Sequence, residues 1–351
     1  MKVAIKHTHF RFKGGMETYL KDIILGFSKA GDELTLCVCK INQDILKSLP
    51  PLTVLKFPYK FLPRSLKKFA FYLGCDRENL ICNHNLVISL VKTTRQDILI
   101  CGGVHKAYLL TKKSYRFIHN YLETYFEKRA FERTPLIIAH SQRIKDEIIQ
   151  HYPSAASKIK VLYPPVSNSH FYYKTTLQKH DLRKKLGFSD KTTIVLFVST
   201  NHARKGLYPL VNAFRCLKDD FLCLILGEKP TISLPDNMRW LGFIKQIQDY
   251  YCIADVTILA STYEPFGITI VESLESGTPV IVSSDVGAAE LLEANDGIIL
   301  TTVTPETIID ALEKVKSKEY RPERDFLLRK GLTIDCHIQA LKQFARISVL
   351  P

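Results

Sequence analysis

The sequence lacks any apolar run that approaches the roughly 20 residues a membrane-spanning helix needs. Its first ten residues, MKVAIKHTHF, form a strand pattern interrupted by charge, without the long apolar core of a signal peptide. We therefore expect a protein that stays in the cytoplasm. Its 351 residues, of which 46% are hydrophobic and 24% charged, are typical of a globular chain that is long enough for two domains.

Several binding patterns are also missing. No G-x-G-x-x-G follows the first strand of either half, which disfavours a nicotinamide-dependent dehydrogenase. The nine cysteines show neither zinc-knuckle nor C-x-x-C spacing. Most of them, such as Cys101 and Cys223, lie in apolar runs where cysteine behaves as a small hydrophobe, so we predict reduced structural thiols. The sequence also contains no clustered Asp-x-Asp motif of the kind that would indicate a metal site.

Charge is distributed unevenly along the chain. Residues 1–170 contain 27 Lys and Arg against 13 Asp and Glu, whereas residues 171–351 contain 22 of each. The whole net charge of +14 therefore lies in the first half. Such asymmetry indicates an anionic partner (nucleic acid, anionic lipid or a phosphorylated acceptor), the alternative being a merely solubilising basic surface.

Residues 55–74, LKFPYKFLPRSLKKFAFYLG, interleave aromatic and basic side chains. The cations of this segment are Lys56, Lys60, Arg64, Lys67 and Lys68. The pattern suits a membrane surface or a nucleic-acid-binding face, and equally an ordinary helix packed on its sheet.

Short apolar strands alternate with helical patterns along both halves of the chain. Because each strand is a near-continuous apolar run, the sequence predicts an α/β protein with parallel sheets covered on both faces. Pro164-Pro165 cannot continue a central strand or a helix, so a domain boundary is expected there. We predict two doubly wound domains, residues 1–166 and 167–334, with a helix over 335–351 that completes the first.

Ligands of such sheets bind outside the carboxyl ends of the strands, so the strand-to-helix loops are the places to inspect. The first loop carries Gly14-Gly15, which lets a backbone approach a ligand closely, although a plain flexible loop has the same signature. The strand TTIVLFVST leads to residues 201–206, where Arg204 and Lys205 stand side by side. This pair predicts a phosphate clamp rather than a solvated charge pair, because positive charge opposes the dipole at a helix start.

Two other loops supply candidate walls for a base or a ribose. Glu228 follows the strand FLCLILG, and Ile244 begins the helix predicted over IKQIQDYYCIA. Neither residue is diagnostic on its own.

The stretch YEPFGITIVESLESGTPVIVSS, residues 263–284, sets two carboxylates, Glu264 and Glu272, in an apolar segment that follows the strand VTILAS. The helix is predicted to begin at Gly267, so that backbone amides there would face a bound phosphate. Partly buried carboxylates are costly unless they hold partners, and the hydroxyls of a sugar and of a ribose are such partners. The stretch therefore predicts a nucleotide-sugar site.

The chain resembles the retaining glycosyltransferases of family 4 in this stretch, through Glu264 and Glu272 with seven residues between them, Phe266-Gly267, Gly277-Thr278-Pro279-Val280, Gly287 and Glu290. Arg204-Lys205-Gly206 is similar to the family's diphosphate site, and Gly14-Gly15 to its N-terminal glycine loop. The Arg-Lys-Gly sequence and residues 115–166 are most similar to the lipopolysaccharide core glucosyltransferase I subgroup.

The resemblance implies a GT-B fold, in which two Rossmann-like domains face across a cleft and the second holds most of the donor. It implies that Glu264 contacts the transferred sugar, that Glu272 contacts the ribose, and that Arg204 and Lys205 hold the diphosphate without a metal or a cofactor. The donor-binding set implied by the family is Gly14, Gly15, Arg204, Lys205, Ile244, Phe266, Gly267, Ile268 and Glu272.

Many family members also place a histidine of the first domain near the reaction centre. His105, in CGGVHKAY, is the best match, ahead of His84, His7 and His9, and a merely polar cleft residue is the alternative reading. The implied catalytic set is Glu264, Arg204, Lys205 and His105.

The expected activity is transfer of a hexose from a nucleotide-sugar, such as a UDP-hexose, with retention of configuration. The expected acceptor is a lipid-linked or lipopolysaccharide-type glycan at the cytoplasmic face of an anionic membrane, with peripheral attachment and no nucleic acid. The alternatives are a soluble acceptor, a GT-B sugar-nucleotide epimerase and a basic nucleic-acid-binding protein. A nucleic-acid-binding function leaves Glu264 and Glu272 unexplained.

Overall fold

The computed structural model describes residues 1–348 except 12–13, 58, 60, 64–65, 79, 112–116, 168–170, 218–219 and 319. The chain forms two compact units. The first unit comprises Met1–Pro165 and Leu332–Pro351, and the second comprises Val166–Gly331. Among the described residues, no helix has the length and apolar character that a bilayer crossing requires.

The first unit is built on a parallel sheet of seven strands, in the order β5-β3-β1-β6-β7-β8-β9, with a separate pair β2-β4. The strands are β1 (Lys2–Lys6), β2 (His9–Phe10), β3 (Glu33–Val38), β4 (Lys40–Ile41), β5 (Thr53–Lys56), β6 (Leu86–Ser89), β7 (Ile98–Cys101), β8 (Leu136–Ala139) and β9 (Ile159–Val161). The central strands β6, β7 and β8 are buried throughout, as strands covered on both faces must be.

Helices cover both faces of this sheet. They are α1 (Gly15–Lys29), α2 (Gln43–Ser48), α3 (Lys67–Arg77), α4 (Leu80–Asn83), α5 (His105–Thr111), α6 (Phe117–Arg133) and α7 (Gln142–His151), followed by a 3₁₀ turn at Pro153–Lys158. One core packs α1 on the sheet through residues such as Ile23 and Phe27. A second core brings Phe71 of α3 and Phe126 of α6 against the sheet.

The second unit has a parallel sheet of six strands, in the order β12-β11-β10-β13-β14-β15. Its elements are α8 (Thr176–Leu186), β10 (Thr193–Ser199), α9 (His202–Lys205), α10 (Leu207–Cys216), β11 (Phe221–Gly227), β12 (Met238–Gly242), α11 (Ile247–Ile253), β13 (Val256–Leu259), α12 (Ile268–Glu275), β14 (Val280–Ser283), a 3₁₀ turn at Gly287–Leu291, β15 (Gly297–Leu300), α13 (Pro305–Ser317) and α14 (Phe326–Arg329). The strand order is that of a Rossmann fold, and it reverses between β10 and β13.

The last helix, α15 (Ile334–Ser348), belongs to the first unit. Leu341 and Ala345 pack into the core around α1. His337 is buried, with its Nε2 2.9 Å from the hydroxyl of Tyr19 and its Nδ1 3.0 Å from the carbonyl oxygen of Tyr163. Apolar packing and the Tyr19 contact therefore fix this helix on α1, and the Tyr163 contact ties it to the segment after β9.

The prediction of parallel α/β domains is confirmed, and three local expectations are corrected. The helix expected from Ile244 begins at Ile247, so Ile244 lies in the preceding loop. The helix expected directly after Arg204 is divided at Gly206 into α9 and α10. The helix expected over residues 115–131 is α6, Phe117–Arg133, and position 115 lies outside the described residues.

Residues 55–74 behave in large part as an ordinary packed segment. Phe69 and Phe71 of α3 are buried, and Lys68 forms an ion pair with the buried Glu123. Lys60 and Arg64 lie outside the described residues. The α3 part of this segment therefore fits the ordinary packed helix, whereas Phe61 and Leu62 before it are exposed.

Candidate functional site

Arg204 and Lys205 lie at the carboxyl edge of the second sheet, in the short helix α9 that follows β10. Gly206 ends α9 with φ 88°. A Cβ atom at Gly206 would lie 2.2 Å from the carbonyl oxygen of Ala260, at the end of the neighbouring strand. Only glycine combines this left-handed backbone with such a close approach. The Arg-Lys-Gly sequence therefore holds the two cations against β13.

Arg204 is joined to the first of the two glutamates. Its Nη1 donates to Oε2 of Glu264 at 2.7 Å and to the carbonyl oxygen of Tyr263 at 2.6 Å. These bonds use one nitrogen of a guanidinium that has five N–H donors, so Nε and Nη2 remain to bind an anion. The same bonds orient the Glu264 carboxylate and leave its Oε1 to accept from a ligand hydroxyl.

Glu272 is held from a different helix. The hydroxyl of Tyr251, on α11, donates to Oε2 of Glu272 at 2.6 Å. Burial raises the pKa of Glu272, and both the Tyr251 hydrogen bond and the charge of Lys205 oppose that increase. Burial lowers the pKa of Lys205, and the charges of Glu264 and Glu272 oppose that decrease. The cations and carboxylates therefore stabilise one another in a partly desolvated cluster.

The loop that carries Glu264 is tightly bonded to the next loop of the sheet. The amide of Gly287 donates to the carbonyl oxygen of Glu264 at 2.9 Å, and the amide of Ala288 donates to that of Phe266 at 2.7 Å. Gly267 caps α12 with φ 95°, and a Cβ there would lie 2.6 Å from Cγ1 of Val286. The first amides of α12 are thereby placed at the same edge as Arg204, where the helix dipole favours an anion.

The residues predicted to form the walls of the site differ in how far they are buried. Phe266 is only 4% exposed, so its ring packs in the interior, whereas Ile268 and Ile244 are half-buried. The carbonyl oxygen of Glu228 lies 2.9 Å from Nε2 of His202. Glu228 thus contributes its backbone to the loop structure behind α9.

Arg204, Lys205, Glu264 and the start of α12 lie where β10 and β13 diverge, which is the point at which the strand order reverses. Open α/β sheets bind their ligands in the crevice at this point. Two cations and helix amides suit a phosphate group, and two carboxylates suit hydroxyl groups. Chemically, the arrangement can hold a hydroxyl-rich phosphate ester.

The remaining predicted residues belong to the first unit. Gly14 caps α1 with φ 110°, and Gly15 is the first residue of that helix, after β1. His84 contacts Leu80 and Thr35 through its two ring nitrogens, and His7 is buried with its pKa lowered by burial to about 4. His9 lies in the short strand β2.

His105 begins α5, at the carboxyl end of β7. Its backbone amide donates to both carboxylate oxygens of Glu127, at 3.1 and 2.9 Å, and Glu127 also binds Lys92 at 2.7 Å and the hydroxyl of Tyr152 at 2.9 Å. Burial, with the charge of Lys92, lowers the pKa of His105 to about 4, so its imidazole is neutral at pH 7. Its buried Nε2 has no hydrogen-bond partner among the described residues.

A cavity of about 220 Å³ lies beside this group in the first unit. Lys92 and Glu127 line its polar side, and residues such as Leu90, Ile100 and Phe131 line its apolar side. The cavity opens where β6 and β7 end, at the edge that binds ligands in parallel sheets.

Sequence reasoning missed Tyr251 and Thr269. Thr269 lies in the first turn of α12, and its buried hydroxyl has no partner among the described residues. Its position two residues after Gly267 is a signal that could have been read from the sequence, because first-turn hydroxyls lie near a helix-bound anion. Tyr251 gave no such signal, since its contact with Glu272 spans 21 positions. The described residues contain no group of three or more His, Cys, Asp or Glu side chains placed to hold a metal ion.

Comparison with known proteins matches each half of the chain to a glycosyltransferase family model. Residues 13–170 match the model of Glycosyltransferase Family 4, and residues 178–326 match that of Glycosyl transferases group 1. A probable transglycosylase of Burkholderia thailandensis is 29% identical over 339 residues, which cover 95% of this chain and 93% of that protein.

Solved structures share the fold across the whole chain. WaaG, a glycosyltransferase involved in lipopolysaccharide biosynthesis, has a TM-score of 0.78 at 16% identity and covers 99% of both chains. Anabaena HepE, in complex with UDP and glucose, has a TM-score of 0.71 at 18% identity, covering 99% of this chain and 95% of that one. These similarities show a GT-B fold of two Rossmann-like units.

Proposed function

Since the chain belongs to the group 1 glycosyltransferases, we propose that it transfers a hexose from a UDP-sugar, with retention of configuration, to a lipid-linked or lipopolysaccharide-type glycan. The observation that carries the proposal is the meeting of Arg204, Lys205, Glu264, Glu272 and the start of α12 at one point of the second sheet. A nucleoside diphosphate sugar has complementary groups for each of them. The UDP complex of the similar HepE favours uracil as the base.

The proposed donor lies along this cluster. Arg204 and Lys205 bind the diphosphate together with the first amides of α12, Glu264 accepts from the sugar hydroxyls, and Glu272 accepts from the ribose. Because Arg204 binds Glu264 directly, the diphosphate and the sugar are positioned by one connected pair of side chains. Screening UDP, GDP and ADP for a rise in melting temperature tests the choice of base, since a tight ligand stabilises the folded state by mass action.

The chemistry follows from the charges. As the bond between the sugar C1 and the diphosphate oxygen breaks, negative charge grows on the leaving group, where the cations and amides stabilise it. The acceptor hydroxyl attacks C1 from the same face, and its proton passes to the leaving diphosphate. No side chain is assigned as a covalent nucleophile. A neutral His105 is proposed as a polar residue of the first unit's acceptor side.

Chelation is expected to leave the reaction intact. In this proposal the second unit's cations neutralise the leaving group, so transfer measured with 5–10 mM EDTA, roughly a thousandfold above the level of contaminating metal, proceeds at the untreated rate. The rate is measured by release of UDP, with and without added Mg²⁺. A rate that falls to background with EDTA and returns with Mg²⁺ contradicts metal independence.

The proposed acceptor side includes a membrane surface on the first unit. Helix α6 buries two acids, Glu123 and Glu127, and exposes large apolar side chains on its opposite side. Phe117, Ile118 and Tyr121 are 81%, 78% and 71% exposed. Tyr121 follows Phe117 by four residues and Ile118 by three, so the three side chains share one side of the helix, which we call the α6 apolar face. An exposed apolar face on a unit that carries the whole net positive charge suits an anionic bilayer.

The α6 apolar face is expected to bind vesicles. Wild-type protein should sediment with vesicles of one-third anionic lipid, roughly the range in which each surface cation contributes about 1 kcal/mol, and less as salt rises. Replacing Phe117, Ile118 and Tyr121 by serine should lower the partition coefficient at least about tenfold, because most of the apolar surface that enters the bilayer is lost.

The matched control lies on the second unit. Leu177 and Tyr208 are also exposed, and their replacement by serine should leave vesicle binding unchanged. Replacing Lys56 and Lys67 by glutamine should weaken binding at low salt only. Lys68 is left intact, because its ion pair with Glu123 is part of the fold. Equal sedimentation of the α6 variant and wild type, or none at low salt, contradicts the membrane proposal and favours a soluble acceptor.

A further inference from the structure

We propose that the second unit contains a further binding site, for a small phosphate-bearing ligand, at the edge of its sheet opposite the proposed donor site. A cavity of about 420 Å³ lies there, within the range of about 300–1,000 Å³ that is usual for small-molecule sites. Its floor is formed where three strands begin, at Thr193 of β10, Asp255 before β13 and Pro279 before β14. Arg204 and Glu264 follow the other ends of β10 and β13. Because β10 has seven residues, at about 3.3 Å each the two sites lie roughly 20 Å apart.

The cavity wall is strongly basic. Six cations, Lys174, Lys179, Arg183, Lys191, Lys316 and Arg321, line it against two acids, Asp190 and Asp255. Lys316 is also paired with Asp220, so an excess of three positive charges remains, in a unit whose half of the chain carries no net charge. Like charges gathered around one concavity repel one another unless an anion enters it.

Part of this charge is held in place by the fold. Arg183 is 5% exposed, and its Nε and Nη2 donate to the carbonyl oxygen of Ile253 at 2.9 and 2.6 Å. Nη2 also donates to Asp255 at 2.6 Å, and Lys179 binds the other carboxylate oxygen of Asp255 at 2.9 Å. These bonds leave Nη1 of Arg183 to face a ligand from a rigid guanidinium plane. A rigid guanidinium is well suited to phosphate oxygens.

Other groups of the wall are not used by the fold. Lys191 makes no ion pair, and the hydroxyls of Thr176 and Thr192 make no hydrogen bond, within the part of the chain that the structure describes. Lys174 lies over the ring of Tyr172 at 4.6 Å and has no acidic partner there. Two lysines, one guanidinium nitrogen and two hydroxyls are the donors a phosphate monoester requires.

The cavity is larger than a phosphate ion, and its remaining wall is aromatic. The ring of Tyr173 packs so closely on Gly277 that a Cβ there would lie 2.4 Å from it, which fixes the ring in place. Tyr320 lines the cavity as well. Cations lie over both rings, Arg324 at 4.4 Å from the Tyr173 centroid and Lys318 at 4.8 Å from that of Tyr320. A sugar ring would therefore lie against the ring surface that remains on the cavity side, with its hydroxyls toward the threonines. The geometry therefore suits a hexose phosphate, with inorganic phosphate as the other source of the same group.

Isothermal titration calorimetry of the full-length protein tests the site, with glucose 6-phosphate and inorganic phosphate as probes. We expect one equivalent of glucose 6-phosphate to bind, and Lys174→Ala with Lys191→Ala to weaken binding at least tenfold. Lys191 is exposed and Lys174 is half-buried, and neither has an acidic partner among the described residues, so the melting temperature of this variant should stay close to that of the wild type. Lys184→Ala with Lys185→Ala removes two exposed cations of α8 outside the cavity and should bind as the wild type does.

The variant Arg204→Ala separates this site from the proposed donor site. The proposal is supported if glucose 6-phosphate still binds Arg204→Ala but no longer binds the Lys174 and Lys191 variant. This holds whether or not Arg204→Ala still binds UDP. Comparison with inorganic phosphate then shows whether the sugar ring contributes. Binding that is lost in Arg204→Ala but kept in the Lys174 and Lys191 variant overturns the proposal, as does the absence of heat with both probes at millimolar concentration.

Discussion

Replacing Arg204 by alanine is expected to reduce turnover at least about a hundredfold while the protein stays folded. Removal of one preorganised donor to a developing negative charge costs roughly 3–4 kcal/mol of transition-state stabilisation, and each 1.36 kcal/mol is a tenfold change in rate. Two effects combine at this position. The variant loses the nitrogens that face the diphosphate, and it also releases the Glu264 carboxylate that Nη1 holds at 2.7 Å.

Steady-state release of UDP measures this effect, with Arg215→Ala as the matched control. Arg215 is exposed on α10, where its Nη1 donates to Oδ1 of Asn212 at 3.2 Å, so its loss should leave turnover unchanged. Lys205→Ala should resemble Arg204→Ala, although it also removes the hydrogen bond that Nζ donates to the carbonyl oxygen of Val198. Turnover in Arg204→Ala within about twofold of the wild type, less than 0.5 kcal/mol, would remove this residue from the reaction.

Replacing Glu272 by glutamine is expected to weaken UDP binding by about 10- to 100-fold. The change keeps the size of the side chain but removes the charge that we propose accepts from the ribose, and hydrogen bonds to charged groups contribute about 1.5–3 kcal/mol. The ribose does not react, so the contact is equally strong in the ground state and the transition state. KM for the donor should therefore rise more than kcat falls.

Two further variants test whether the weaker UDP binding of Glu272→Gln comes from the lost charge. Tyr251→Phe removes the hydroxyl that orients Glu272 and keeps the charge, so it should weaken UDP binding only a few-fold, about 1 kcal/mol or less. Glu275→Gln makes the same chemical change one turn later in α12, where the side chain binds the amide of Leu327 at 2.9 Å, and UDP should bind it normally. A Glu272→Gln variant with unchanged UDP affinity would show that this carboxylate serves the fold alone.

The sequence predicted the parts of the candidate site that depend on local pattern. The strand, loop and helix around Gly267 are readable because an apolar strand, a positive-φ glycine and an apolar helix follow one another within twenty residues. The parallel sheets are readable because every buried strand is an apolar run. The edge strand β5 is harder to read, since its four residues are only half-buried or exposed and carry too little pattern to separate strand from loop.

What the sequence could not reveal are contacts between distant positions. The bond between Arg204 and Glu264 joins residues 60 positions apart, and nothing local in either loop specifies it. The α6 apolar face was missed for another reason. Apolar spacing on a helix is the same whether that face meets a core or solvent, and here α6 turns two acids inward, where Lys68 and Lys92 pair with them. Because the acids of α6 are buried, its apolar side is exposed, which is the opposite of the usual arrangement for a surface helix.

The most direct test of the central claim compares UDP with UMP as ligands of the second unit's cluster. Calorimetry on the wild type should give at least about a hundredfold tighter binding of UDP, because only UDP carries the β-phosphate that Arg204, Lys205 and the α12 amides contact, at roughly 1.5–3 kcal/mol per charged bond. In the variant with both Arg204 and Lys205 replaced by alanine, the two nucleotides should bind with nearly equal, weak affinity. Equal affinities in the wild type, or an undiminished preference for UDP in the variant, would contradict the diphosphate clamp.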